Sequence, residues 1–138
     1  MPAGAVVSVT IYITEGRIKT YAGLSARRAE RIKTVRKQTP WGQADGAEEL
    51  APGIISYSTS SHGGIWLSAE RRKALNYDKN WLNTAEWWEE DCDWAVPYYF
   101  FAADILAHGK AYKFDSNLRA AIETVRRFHP EFLERMAA

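Results

Sequence analysis

The sequence predicts an α+β fold, with β-hairpins forming a small antiparallel sheet first and a mostly helical half following. Two observations carry that expectation. Strand-like runs rich in β-branched and aromatic residues fall at 6–13, 53–59 and 65–67, whereas cap residues and helically spaced apolar residues dominate from Ser68 onward. The length of 138 residues suits one core. A single domain over 1–138 is therefore expected, divided into a basic hairpin-helix segment at 1–38 and a β-then-helical core at 39–138.

The elements follow in order. VVSVTIYI at 6–13 reads as a strand, Glu15-Gly16 as a turn and Arg17 to Tyr21 as a second, half-exposed strand. Ser25 can cap a helix over roughly 26–37 with a thin apolar stripe of Leu24, Ala29, Ile32 and Val35. Thr39-Pro40-Trp41-Gly42 stops that helix, because proline disfavours helical backbone in the residue before it. Residues 43–52 are polar and acidic, end on Pro52-Gly53, and read as a connecting loop. Gly53 to Thr59 and Ile65 to Leu67 then form strands about a Ser60–Gly64 turn.

Ser68 stands at the N-cap of a short helix over Ala69–Leu75, whose early Glu and late Lys/Arg complement the helix dipole. Asn76 to Asn83 reads as an exposed loop anchored by Trp81 and Leu82. Thr84 is expected to cap a helix that begins AEWWEEDCDWAV, with Pro97 either kinking it or opening a second one. His108-Gly109 ends that region. Asp115 or Ser116 then caps a helix through about Phe128 with Leu118, Ala121, Ile122 and Val125 on one face, and after His129-Pro130 a short helix runs from Glu131 to Met136.

Composition narrows the function classes. One cysteine, Cys92, excludes an internal disulfide framework and a cysteine-rich zinc module, and a reducing compartment is its simplest home. No apolar run is long enough to span a membrane, and the first residues lack a secretory pattern, so a cytoplasmic protein is expected. The formal charge of +1 conceals a division: residues 1–37 carry eight Lys/Arg and two acids, the remainder ten and fifteen. Six tryptophans are the second anomaly.

Four groups of residues are candidates for chemistry. Ser60-Ser61-His62-Gly63-Gly64 offers a histidine beside glycines that would let backbone amides approach an anion, or is simply a turn whose glycines supply positive φ. Glu86, Glu89, Glu90, Asp91 and Asp93 surround Cys92. On a helix Glu86, Glu89/Glu90 and Asp93 would share a face, as a partner-facing surface, a Mg²⁺ or acid/base site, or a mate for the basic segment. A Cys92–His62 dyad is disfavoured, since the acids at 89, 90, 91 and 93 raise the thiol pKa. Lys19, Arg27, Arg28, Arg31, Lys33 and Arg36, with Tyr12 and Tyr21 nearby, could contact phosphates, and Trp81, Trp87, Trp88 and Trp94 are either core or interface. His108 and His129, at helix ends, need no more than a capping role. No cofactor is expected, and no zinc-binding or P-loop spacing is present.

Four motifs in order, Thr39-Pro40-Trp41-Gly42, SHGGIWLSAER up to Arg71, EEDCDWA from Glu89 and TVRRFHPE from Thr124, resemble a family of domains of unknown function over about residues 39–132. That family is encoded on phages, plasmids and integrative elements of proteobacteria. The resemblance carries no catalytic residues. It implies genomic company in which small accessory proteins, anti-CRISPR and anti-restriction proteins among them, block host defences by stoichiometric binding. The expectation is a non-enzymatic inhibitor that contacts a CRISPR-Cas or other defence complex of the bacterial host through Trp87, Trp88, Glu89, Glu90, Asp91 and Asp93, with His62 beside them. The alternatives are a small enzyme using His62 and an acid from 89–93, with or without a metal, and a nucleic-acid-binding module worked by the basic segment.

Overall fold

The computed structural model describes residues 37–138. The expected hairpin and helix within 1–36, and with them Lys19, Arg27, Arg28, Arg31, Lys33 and Arg36, lie outside the described residues.

The fold is α+β, an antiparallel sheet region followed by helices. A minimal hairpin of β1 (Gln38–Thr39) and β2 (Gly42–Gln43) leads into a four-stranded antiparallel sheet of order β3 (Gly46–Ala51), β4 (Ile54–Ser58), β5 (Gly63–Leu67) and β6 (Trp87–Glu89). Helix α1 (Ala69–Leu75) and the loop after it link β5 to β6. Four helices complete the chain: α2 (Ala95–Phe100), α3 (Ala102–His108), α4 (Phe114–Phe128) and α5 (Pro130–Ala137).

Two expectations fail here. The 43–52 stretch is no loop: Gly46–Ala51 pairs along β4 as the sheet's edge strand, with a register shift between Glu49 and Ala51. Its Gly, Ala and Glu residues are weak strand formers, and the pairing comes from β4 through the tight Pro52-Gly53 turn, where Gly53 adopts φ 83°. Edge position explains the acids, which discourage pairing with another chain. The predicted helix from Thr84 is also absent in its first half. Trp87–Glu89 is a strand paired with Gly64–Trp66, and helix begins only at Ala95.

The reason lies in what surrounds Trp87. Thr84 does not cap a helix, because its hydroxyl accepts from Glu86 N at 3.1 Å and its own N–H donates to Asn80 Oδ1 at 3.2 Å. Leu67 N donates to Glu86 O at 3.0 Å, extending the sheet, and Trp66 Nε1 donates to Glu86 Oε2 at 2.9 Å. Two aromatic residues against an open strand edge gain more from pairing than from helix, for which neither has much propensity.

The register sorts the sheet's faces. Ser56, Ile65 and Trp88 stand side by side on one face, and Ile55, Trp66 and Trp87 on the other. The first face meets the helices. There Ile54, Ile65, Leu67 and Trp88 pack with Leu75, Val96, Phe101, Ile105, Ala121, Val125 and Phe132, with Trp88 0% exposed. Trp41 from the β1–β2 turn covers part of the second face, edge-on to Trp87 at 5.7 Å.

The helix ends mostly follow the sequence. Ser68 Oγ accepts from Arg71 N at 3.3 Å as the N-cap of α1, and Asn76 closes it at φ 51°. Arg135 of α5 donates to the carbonyls of Leu75 and Asn76, satisfying acceptors that every helix end leaves open. Pro97 sits in the first turn of α2, where a missing N–H costs nothing, and the chain breaks again at Phe101 before α3. Gly109 (φ 75°) ends α3. Helix α4 begins one residue before the expected caps, following Lys113 at φ 50°, and Ser116 Oγ donates back to Lys113 O at 3.2 Å. No helix among the described residues is long and apolar enough to cross a membrane.

An acidic cleft over a buried Asp–His pair

The acidic run is the turn that joins β6 to α2. Glu89 organises it, accepting from Cys92 N through Oε1 at 3.0 Å and from Trp94 N through its carbonyl at 2.8 Å. This turn, the β4–β5 turn, the 78–83 loop and the α4–α5 junction enclose an open cleft of about 1000 Å³. His62, Asp78, Trp81, Glu89, Asp91, Cys92, Asp93, Phe128, His129 and Glu131 are among the residues that line it.

Asp93 and His129, far apart in sequence, meet at the base of this cleft. Asp93 Oδ1 lies 2.9 Å from His129 Nε2, with the two residues 5% and 6% exposed. The other carboxylate oxygen accepts from Trp81 N at 2.8 Å, fixing the 78–83 loop. His129 Nδ1 lies 3.2 Å from the Tyr77 hydroxyl, which donates to Glu131 Oε2 at 2.7 Å. Because the tyrosine commits its proton to Glu131, it meets Nδ1 as an acceptor. His129 thus bridges Tyr77 and Asp93, one ring nitrogen to each.

Burial and then the bond to Glu131 hold the Tyr77 phenol well above its ordinary value, while the same bond, first among its causes, holds the Glu131 carboxyl below its own. Fully bonded, this network stiffens the junction it crosses.

At the cleft's other end, ligating atoms of His62, Glu89 and Asp91 lie within 4.8 Å of one another. His62 Nδ1 is also 3.9 Å from Glu90 Oε2, both side chains being half-exposed. The β4–β5 turn that carries His62 is held by Thr59, whose hydroxyl donates to His62 O at 2.7 Å and accepts from His62 N at 3.1 Å. The positive-φ reading of the glycines fails. Gly63 and Gly64 begin β5 without positive φ, and they are glycine because space is short: a Cβ on Gly64 would lie 2.4 Å from Trp88 O and from the Trp41 ring. The Cys92 thiol is pushed up, by burial first and then by Glu89, Asp93 and Asp91, as its acidic setting predicts.

The predicted contact residues divide. Glu90 and Asp91 are exposed, Glu89 and Trp87 half-buried, and His62 exposed beside the acids. Trp88 is not a surface residue at all, because strand pairing turns it into the core. Asp93 is likewise inside, paired. The acids therefore do not share a helical face; they radiate from a turn. Trp94 is half-buried against Tyr98 at 5.4 Å, whereas Trp81, expected to anchor its loop, is 83% exposed at the cleft mouth with Phe128 49% exposed. His129, read as a cap, is the site's best-held side chain. Its sequence signal, a polar residue between Phe128 and Pro130, did not name a partner.

An antiparallel four-stranded sheet backed by helices, with an acidic turn latched to a buried histidine beside an open cleft, defines a small α+β protein. The chain belongs to the family described as Domain of unknown function (DUF7007), which matches residues 34–138. No curated protein and no solved structure matches it.

Proposed function

We propose that this chain is a non-enzymatic binding protein, the accessory product of a mobile element, which docks its acidic cleft on a basic, nucleic-acid-handling surface of a host defence complex in the bacterial cytoplasm. The observation that carries the reading is the acidic turn: Asp91 is exposed on the cleft lining that also carries the largely bare Trp81, and Glu90 is exposed beside His62. Carboxylates imitate phosphate charge, and a solvent-facing tryptophan is the residue type that interfaces bury most profitably. The acids that contact the partner are Glu90 and Asp91, with His62 beside them, because Glu89 and Asp93 already hold the turn together. Glu90→Lys with Asp91→Lys should abolish capture of a purified CRISPR-Cas or restriction complex and restore that complex's binding to its nucleic acid. Undiminished capture by a folded double variant would refute the reading.

A second reading rests on the convergence of His62, Glu89 and Asp91. One imidazole and two carboxylates can hold a divalent ion such as Mn²⁺, and a His/carboxylate enzyme acting on a phosphodiester would use one. Mn²⁺ should then raise the melting temperature of the wild-type protein and leave His62→Ala unaffected; equal behaviour of the two removes this reading.

A further inference from the structure

Residues 76–83 run as a strap along one side of the cleft, and several of the bonds that hold the strap lead to α5. We infer that α5 is a clasp: docked, it keeps the Trp81 strap and the α4–α5 junction in place as one wall of the cleft, and when it lifts, the whole wall goes with it. This coupling belongs to the chain alone, whichever partner or ion the cleft takes.

The near end of the strap is tied directly. The Arg135 guanidinium donates to the carbonyls of Leu75 and Asn76 and lies 5.8 Å from the Tyr77 ring centroid. The Tyr77 hydroxyl donates to Glu131 Oε2 at 2.7 Å, and its ring meets Phe132 edge-on at 4.8 Å. With His129 Nδ1 3.2 Å from the same hydroxyl, every hold on Tyr77 named here comes from His129 or α5.

Trp81 is held at one remove. Its N–H donates to Asp93 Oδ2 at 2.8 Å, and the other oxygen of that carboxylate lies 2.9 Å from His129 Nε2. The turn that carries Trp81 is bonded to itself, since Asn80 Oδ1 accepts from Thr84 N at 3.2 Å and Asn80 O from Asn83 N at 3.1 Å. It meets β6 through Asn80 Nδ2, which donates to Trp87 O at 3.2 Å. Lifting α5 loosens His129 from Asp93 and admits water to a carboxylate that is otherwise 5% exposed. The bond to Trp81 then loses its shelter, and the turn can swing about Asn80.

The clasp itself is lightly seated. Of the eight residues of α5 only Phe132 is fully buried and Leu133 partly; the other six are exposed. A helix of that length does not stand alone in water, so its docking depends on these two side chains and the bonds just described. Elements anchored so sparsely open at lower free energy than the sheet, where Ile54, Tyr57, Ile65 and Leu67 are buried. Phe128, His129 and Glu131 line the cleft from the junction, and Asp78 and Trp81 from the strap, so one opening dismantles both. By linkage, an occupant touching both would hold α5 down.

Native-state amide exchange of the full chain, followed by NMR, tests the clasp. In the wild type the Trp81 and Glu134 amides should share one urea dependence and protection within about twofold of each other, about tenfold or more below the slowest β4 amides. Leu133→Ala weakens the seat of α5 and leaves every bond named above in place. It should speed both amides by a common factor of about tenfold. The Thr59 amide, which donates to His62 O across the cleft at 2.7 Å, should stay within about twofold as the control. A Trp81 amide that keeps its rate while Glu134 accelerates would overturn the coupling. So would wild-type Trp81 and Glu134 amides that exchange only as slowly as the slowest in β4, or that differ in urea dependence, a result that decides the matter even if the variant fails to fold.

Discussion

Replacing Asp93 with alanine tests the latch under the cleft. The carboxylate is 5% exposed and serves two donors, His129 Nε2 at 2.9 Å and Trp81 N at 2.8 Å. Removing one member of a buried ion pair costs about 3–5 kcal/mol, because the remaining charge stays desolvated. His129 keeps its contact with Tyr77, which argues for the lower end, about 3 kcal/mol. The Trp81 amide lies in a partly open loop where water can replace its acceptor, so it adds under about 1 kcal/mol. With a urea slope of about 1.5 kcal/mol/M, the unfolding midpoint should fall by about 2 M. Asp91→Ala, two residues away but exposed, is the control and should stay within about 0.5 kcal/mol of wild type. Paired with His129→Ala, the double variant should be less destabilised than the sum of the singles by about 2 kcal/mol. Near-equal midpoints for Asp93→Ala and Asp91→Ala, or additive singles, would refute the reasoning.

Other outcomes follow from packing and titration. Gly64→Ala should destabilise by about 1–3 kcal/mol in a urea melt, since the new methyl has only Trp88 backbone and the Trp41 ring to displace. Trp88→Ala should cost about 3–5 kcal/mol, while Trp81→Ala should leave stability within about 0.5 kcal/mol and lose partner capture; a Trp81 variant that binds normally would undo the contact assignment. Glu131 has its carboxyl lowered in the fold, so the unfolded chain takes up its proton first and stability should decline as pH falls below about 4. Tyr77 is raised, so stability should also decline as pH rises above about 10, where only the unfolded phenol ionises. Midpoints measured across pH for wild type and Glu131→Gln should show the acid limb flattened in the variant.

The β4–β5 hairpin, the Ser68 cap, the Gly109 stop and the His129-Pro130 break were legible in the sequence because each depends on neighbouring residues. The failures share a different cause. Gly46–Ala51 is a strand only because Ile54–Ser58 presents an edge to it, and Trp87–Glu89 leaves the helical pattern only because Gly64–Trp66 is there to pair with. Acidic residues spaced for a helix face became a turn for the same reason. His62 comes close to Glu89 and Asp91 because β5–β6 pairing sets their two turns side by side, whereas the Asp93–His129 contact crosses 36 residues with no periodicity to announce it.

Arg135 seals the end of α1 from 60 residues downstream, and His129 reaches Asp93 from 36. On a ribosome adding about 5–20 residues per second, Leu75 therefore waits roughly 3–12 s for its guanidinium. During that interval the sheet can form but the acidic turn has no latch, and Trp88 has only part of its cover. The newborn chain thus passes through a stage in which its most apolar ring and its most charged loop are both loose. A chaperone or protease would find its opportunity in that interval, and a stop codon before His129 would make the stage permanent.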